Sequence, residues 1–275
     1  MFQREKPWEA TELAAHLRDA GIAAGTNVIL HSSLRSVGPT AAGPETVLHA
    51  FLDTIGPTGN LLVPTFTYSL PGWKHPPFNV ETLPARTGAI PEYIRHRPNA
   101  QRSFHPTHSV AVIGPDALSL TEHHMDFTPL GVGSPYHRMW QAGATIVMLG
   151  TRQDTNSTLH LCEVMARLPY VDIPFADNIN YEIAWYETSD GKVEFTPIRE
   201  VPGCSRGFRA VEPELIRRGV LRQVTIGNAV TQILDMRQLV ETMIDVLRVD
   251  PTILLCHLKH CAICPKRRRA MRPDQ

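Results

Sequence analysis

The chain has no excess of charge of either sign: 27 basic and 27 acidic side chains give its 275 residues a formal net charge of zero. That balance argues against a general nucleic-acid binder, which needs a basic face to neutralise phosphates. No apolar run approaches the ~20 residues that cross a bilayer, and the opening stretch Met1-Phe-Gln-Arg-Glu-Lys-Pro7 has no signal-peptide core. The default compartment is therefore the cytoplasm, where the five cysteines are expected as thiols or metal ligands and not as disulfides. Internal repeats and low-complexity linkers are missing. So are a Gly-x-Ser-x-Gly elbow and a His-Glu-x-x-His zinc motif. The small-residue loop Gly131-Val-Gly-Ser134-Pro-Tyr136 is too short and wrongly spaced for a P-loop or dinucleotide fingerprint. One basic run, Lys266-Arg-Arg-Arg269, lies between Pro265 and Pro273 and reads as a solvated tail.

The remaining composition, 43% hydrophobic and 20% charged, is that of a soluble globular protein with room for a large core. Apolar runs at Asn27-Val-Ile-Leu-His31, Asn60-Leu-Leu-Val-Pro-Thr65, Ser109-Val-Ala-Val-Ile-Gly114 and Ala144-Thr-Ile-Val-Met-Leu-Gly150 read as buried strands. Helical spacing runs over Trp8 to Ala20, Gly43 to Ile55, Gly88 to Arg95 and Leu159 to Leu168. Their alternation predicts a layered α/β/α architecture. Past residue 178, two runs flank the turn Ser189-Asp190-Gly191 and predict a hairpin, whose antiparallel pairing would make the central sheet mixed. A single domain over residues 1–275 is expected, with residues 250–275 as a C-terminal extension.

Chemistry concentrates in Asn156-Ser-Thr-Leu-His160-Leu-Cys-Glu163, which follows a strand and opens a helix. His160 and Glu163 are three apart and share a helix face, so the carboxylate can fix the imidazole tautomer and favour its protonated form. That is one way to hold a general base. A partly buried histidine satisfied by its neighbour is the plainer alternative. Cys162 falls on the other side of the helix and reads as core packing. His31-Ser32-Ser33 lies at a strand's C-terminal end, where hydroxyls and loop amides could hold a carbonyl, a phosphate or a pantetheine amide, or simply cap a turn.

Cys256, Cys261 and Cys264 form a cramped thiol array suited to a zinc knuckle. The fourth ligand could be Cys204, in the turn Pro202-Gly-Cys-Ser205, or alternatively His257 or His260. Four thiolates leave no open coordination position, so such a site would be structural.

Five segments, in order along most of the chain, carry a resemblance. They are His31-Ser-Ser-Leu-Arg-Ser-Val-Gly38, Gly59-Asn-Leu-Leu-Val-Pro-Thr65, Arg102-Ser-Phe-His-Pro-Thr-His-Ser109, Leu130-Gly-Val-Gly-Ser-Pro-Tyr136 and Asn156 to Glu163. Together they resemble the aminoglycoside 3-N-acetyltransferase family, acetyl-CoA-dependent enzymes with a fold unrelated to GNAT acetyltransferases. The cysteine-containing tail is similar to the apramycin-acetylating branch. The resemblance implies acetylation of an aminoglycoside or similar amino sugar by direct transfer, with His160 as base, Glu163 behind it and His31 assisting. It also implies acetyl-CoA contacts at His31, Ser32, Ser33, Leu34, Thr65, Arg102, Ser103 and Ser109. Within that set Arg102 would meet the CoA phosphates, and Ser103 and Ser109 the pantetheine arm. A small-molecule amine and CoA are the expected partners, with a homodimer left open.

The loop after Thr65, Tyr68-Ser-Leu-Pro-Gly-Trp73-Lys74-His75, departs from the family's acidic habit there; its next carboxylate is Glu81. Asp126, Glu163, Asp172, Asp177 and Glu182 remain as sources of negative charge for a cationic substrate. Rival readings are acetylation of another biosynthetic amine, a Ser-His-Glu hydrolase using Ser32 or Ser33, and a non-catalytic zinc-stabilised protein.

Overall fold

The computed structural model describes residues 6–177 and 181–271. Most of the N-terminal stretch and the Pro273 boundary of the basic run therefore lie outside the described residues.

The strands are β1 (Val28–Ser32), β2 (Leu61–Pro64), β3 (Gln101–Arg102), β4 (Val110–Ile113), β5 (Thr145–Leu149), β6 (Glu182–Glu187), β7 (Val193–Ile198), β8 (Leu221–Ile226) and β9 (Ala229–Asp235). The helices are α1 (Ala10–Asp19), α2 (Leu34–Val37), α3 (Pro44–Ile55), α4 (Ala89–Arg95), α5 (Ala117–Thr121), α6 (Pro135–Gln141), α7 (Thr158–Met165), α8 (Glu212–Arg217), α9 (Met236–Val249) and α10 (Cys264–Ala270). Seven strands form one sheet in the order β3-β4-β2-β1-β5-β9-β8. β1 runs parallel to β2 and β5, while β4 and β9 pair antiparallel to their neighbours. The mixed sheet is as expected, but its antiparallel pairs are β2–β4, β3–β4, β5–β9 and β8–β9. The hairpin after residue 178 stands apart as a two-stranded sheet, β6–β7.

Strand side chains alternate between two cores, as the pleat requires. Val28, Leu30, Leu61, Val63, Val147 and Leu149 meet α1 and α3, whereas Ile29, Leu62, Ile146 and Met148 meet α6, α7 and α9. Burial on both faces explains why these strands read as continuous apolar runs. His31 follows the parity of Ile29 and so belongs to the α7 side. Gly150, with φ +66°, ends β5 in a left-handed turn that sends the chain across the sheet edge toward α7.

The basic run is not a solvated tail. It forms α10, and Arg267, 2% exposed, donates to the carbonyl of Val201 at 2.9 Å, while Arg268 donates to that of Leu255, also at 2.9 Å. Leu254, Leu255, Cys256, Ile263 and Cys264 join the same core as α7. Among the described residues no helix is long and apolar enough to cross a membrane.

Candidate active site

Because β1, β2 and β5 are parallel, their C-terminal ends open on the same edge of the sheet, where α/β folds present ligand-binding groups. A cavity of about 510 Å³ lies there, a size suited to a small organic ligand. β1 supplies His31 and Ser32, the turn after β5 supplies Thr151, and the first turn of α7 supplies Ser157 and His160. Asn156 sets up that helix: its Oδ1 accepts the Thr158 amide at 3.1 Å, and its Nδ2 donates to Gln153 Oε1 at 2.8 Å. This satisfies an end-of-helix donor and explains the Asn-Ser-Thr pattern before α7.

His160 Nδ1 lies 2.7 Å from Glu163 Oε2, and Tyr170 donates its hydroxyl to Glu163 Oε1 at 2.9 Å. Both partners are buried, with Glu163 only 2% exposed. Burial by itself would raise the Glu163 carboxyl. The hydrogen bond and charge of His160, aided by Arg267 and Tyr170, overcome this and hold it below the usual carboxylate range. A carboxylate on Nδ1 makes that nitrogen the N–H donor and puts the imidazole lone pair on Nε2.

At the head of β1, His31 Nε2 and Ser32 Oγ are buried with no hydrogen-bond partner in the protein. Both residues line the cavity, and a buried polar group left unpaired is costly. Burial lowers the His31 imidazole to about 3, so it is neutral near pH 7. Cys162 is fully buried and its thiol is pushed up by burial, which removes it as a nucleophile.

Other residues expected at the cofactor sit elsewhere. The Arg102 guanidinium is spent inside the chain, on Val80 O at 2.9 Å, Leu83 O at 2.8 Å, Thr65 O at 3.1 Å and Ser109 Oγ at 3.3 Å. It braces the loop after β2 and is not among the residues that line this cavity. Thr65 and Ser109 bond each other through their hydroxyls at 3.0 Å. Ser103 donates to His124 Nδ1 at 2.9 Å and accepts from the Val110 amide at 2.9 Å. These three hydroxyls are likewise hydrogen-bonded within the protein. Ser33 caps α2 by accepting from the Ser36 amide at 3.4 Å, and its own amide donates to Leu149 O at 2.9 Å. Leu34 packs against the core on the α1 side.

The thiol array does assemble. Sulfurs of Cys204, Cys256, Cys261 and Cys264 all lie within 4.8 Å of one another, and no disulfide joins them. Neither His257 nor His260 belongs to the group.

A feature the sequence did not single out is an aromatic wall formed by Phe66, Tyr68, Trp73 and Phe175. The proline- and aromatic-rich loop was visible, but its direction depends on Tyr68 adopting φ +52°, a left-handed backbone that costs a non-glycine residue on the order of 1 kcal/mol.

The sequence profile of the aminoglycoside 3-N-acetyltransferases matches residues 29–248. The chain belongs to this family. As a member of the aminoglycoside 3-N-acetyltransferases it is an enzyme of the acyltransferase class. It is 29% identical over 250 residues to aminoglycoside N(3)-acetyltransferase IV of Salmonella sp, covering 90% of each chain. Over 260 residues it is 29% identical to the type VII enzyme of Streptomyces paromomycinus, covering 86% of this chain and 90% of that one. Among solved family structures, a histidine-to-alanine variant of AAC(3)-IVa in complex with a gentamicin superposes with a TM-score of 0.85 at 26% identity, covering 98% of this chain and 99% of that one. AAC-IIIb in a binary complex with CoASH superposes at 0.77 with 27% identity, covering 89% and 97%. The non-GNAT fold expected from the motifs is thus the fold of its relatives.

Proposed function

We propose that the protein transfers an acetyl group from acetyl-CoA to an amino group of an aminoglycoside or similar amino sugar, at the 3-N position, in one direct step. The observation that carries this reading is the His160–Glu163 pair, which leaves Nε2 as the basic atom of a ring lining the cavity. A neutral amine attacks the thioester carbonyl, Nε2 of His160 takes its proton, and the C–S bond breaks to release CoA thiolate. Glu163 stabilises the imidazolium, and that proton then goes to the departing sulfur. Neutral His31 and the Ser32 hydroxyl are free to donate to the developing oxyanion. Their unpaired atoms support this role, with Thr151 nearby to help position the thioester.

Support for the donor comes from the CoASH bound by AAC-IIIb, and support for the acceptor from the gentamicin bound by AAC(3)-IVa. Acetyl-CoA is an intracellular metabolite, in keeping with a cytoplasmic protein. A Ser-His-Glu hydrolase is disfavoured because the Ser32 hydroxyl has no base hydrogen-bonded to it.

Residues 6–271 are read as a single domain, with its C-terminal segment folded into the core. The four thiols fit zinc: a tetrahedral four-thiolate shell has sulfurs about 3.8 Å apart given Zn–S bonds near 2.3 Å, and Cys204 and Cys256 already stand at 3.7 Å. Cys204, Cys256, Cys261 and Cys264 would hold the ion, which would fasten the C-terminal segment to the turn around Cys204.

Thiol release from acetyl-CoA, dependent on added amine, tests the activity. His160→Ala should lower that rate by about 100- to 10,000-fold while leaving acetyl-CoA affinity nearly intact. A variant keeping more than half the wild-type rate would remove His160 from the mechanism.

A further inference from the structure

The cavity is almost devoid of negative charge. Among its lining residues only Asp154 is a carboxylate, and Arg86 offsets it with a positive charge. The carboxylates that the sequence offered for a polycation are elsewhere. Asp126 faces His123 at 3.2 Å, Asp177 faces Lys266 at 2.5 Å, and Glu182 accepts the Ala176 amide at 2.8 Å. Asp172 borders a separate hollow beside Lys266, and Glu163 is occupied by His160 and Tyr170. Residues 178–180 are Asn-Ile-Asn and bring no charge.

In place of acids, one wall is aromatic. Ring centroids step from Phe66 to Tyr68 at 5.9 Å, to Trp73 at 6.3 Å, and to Phe175 at 5.1 Å. Leu70 and Val201 border the same cavity. Such a surface stacks on the C–H face of a sugar ring or on an aryl group, and it gains by excluding water. An ammonium group placed there without a carboxylate loses hydration that little on the wall replaces. A ring face can attract one cation by its quadrupole, but several would have to compete for it.

Resting on the acetyl-transfer reading above, we infer that the preferred acceptor is an amine of low positive charge with an apolar or aromatic flank. It carries at most one ammonium group besides the nitrogen that reacts. The reacting nitrogen enters neutral; Asp154 compensates one further ammonium; the Tyr68–Trp73–Phe175 wall takes the flank. Among amino sugars, those with few amino groups and an aryl or alkyl substituent fit this chemistry best.

Steady-state acetylation of an aryl glycoside of glucosamine, measured beside gentamicin and apramycin under equal conditions, decides the matter. The aryl amine should have the higher kcat/KM by about tenfold or more. Its kcat/KM should change less than about twofold on adding salt, because no acidic field steers it in. Two variants locate the selectivity. Trp73→Ala should shrink the preference for the aryl glycoside over plain glucosamine about tenfold, and Asp154→Asn should shrink the preference for a diamino over a monoamino sugar by a similar factor. Higher kcat/KM for gentamicin, with steep salt dependence, overturns this inference and leaves acetyl transfer standing. Silence toward every amine while acetyl-CoA still binds overturns the acetyl-transfer reading itself.

Discussion

One turn along α7, His160 Nδ1 meets Glu163 Oε2 at 2.7 Å, and the other carboxylate oxygen is held by Tyr170 from behind. The imidazole can neither flip nor change tautomer without leaving a buried carboxylate oxygen unpaired, which is expensive. The pair therefore fixes where the proton of an attacking amine must go.

Replacing Glu163 with glutamine keeps the shape and removes the charge that favours imidazolium. The plateau rate should fall, as the protonated imidazole loses its buried counter-charge. A rate within about twofold of wild type would show that the carboxylate only positions the ring.

Arg102→Met tests its reassignment to the scaffold. The substitution strands the carbonyls of Val80 and Leu83, while that of Thr65 keeps the Ser109 hydroxyl at 2.7 Å. The expected loss is on the order of 3 kcal/mol of stability, read as a lower denaturation midpoint. KM for acetyl-CoA should stay within about twofold in the folded enzyme, since a surface phosphate contact is not at stake. A tenfold rise in KM with unchanged stability would return Arg102 to the cofactor.

Acid should unfold the protein early. Burial lowers His31 to about 3 and His124 to about 4, and pushes His105 and His108 well below the ordinary histidine value. The sign follows from linkage: below pH ~6.5 the unfolded chain binds protons that the folded rings refuse, so stability present above that pH is lost as pH falls toward the folded values. Each ring contributes a slope of about 1.4 kcal/mol per pH unit, and four acting together about 5. Urea midpoints measured from pH 7.5 to pH 5 should drop steeply. A flat profile would mean that protons reach these rings in the folded state.

Purified protein should carry about one equivalent of zinc if the four sulfurs complete its shell. Chelation should then lower Tm first and slow acetyl transfer only through unfolding. Metal-free protein of unchanged Tm, with Cys204, Cys256, Cys261 and Cys264 titratable while folded, would rule the site out.

Much of the sheet was legible because β1, β2, β4 and β5 are buried on both faces and show as uninterrupted apolar runs. His160 and Glu163 were legible because a helix brings residues three apart together without help from the rest of the fold. β8 was not assigned from sequence. It is an edge strand whose exposed Arg222, Gln223 and Thr225 dilute its apolar pattern. Nor could the sequence tell which way Arg102 turns. A cation beside a strand is equally suited to a phosphate or to three carbonyls, and only the path of the loop decides. The aromatic wall was hidden for a related reason, since a left-handed tyrosine has no sequence signature.

The pairing of β1 with β5 joins Val28 to Thr145 and Ser32 to Leu149, positions more than a hundred residues apart. His31 and Thr151 face one cavity only after that long loop has closed, and loop closure between distant segments is the slow part of folding. Helices such as α3 and α9 need no such closure and can form within microseconds. On refolding from denaturant, helical circular dichroism should therefore recover well before turnover does. Enzymatic activity serves this protein as a clock for the last long-range strand to dock.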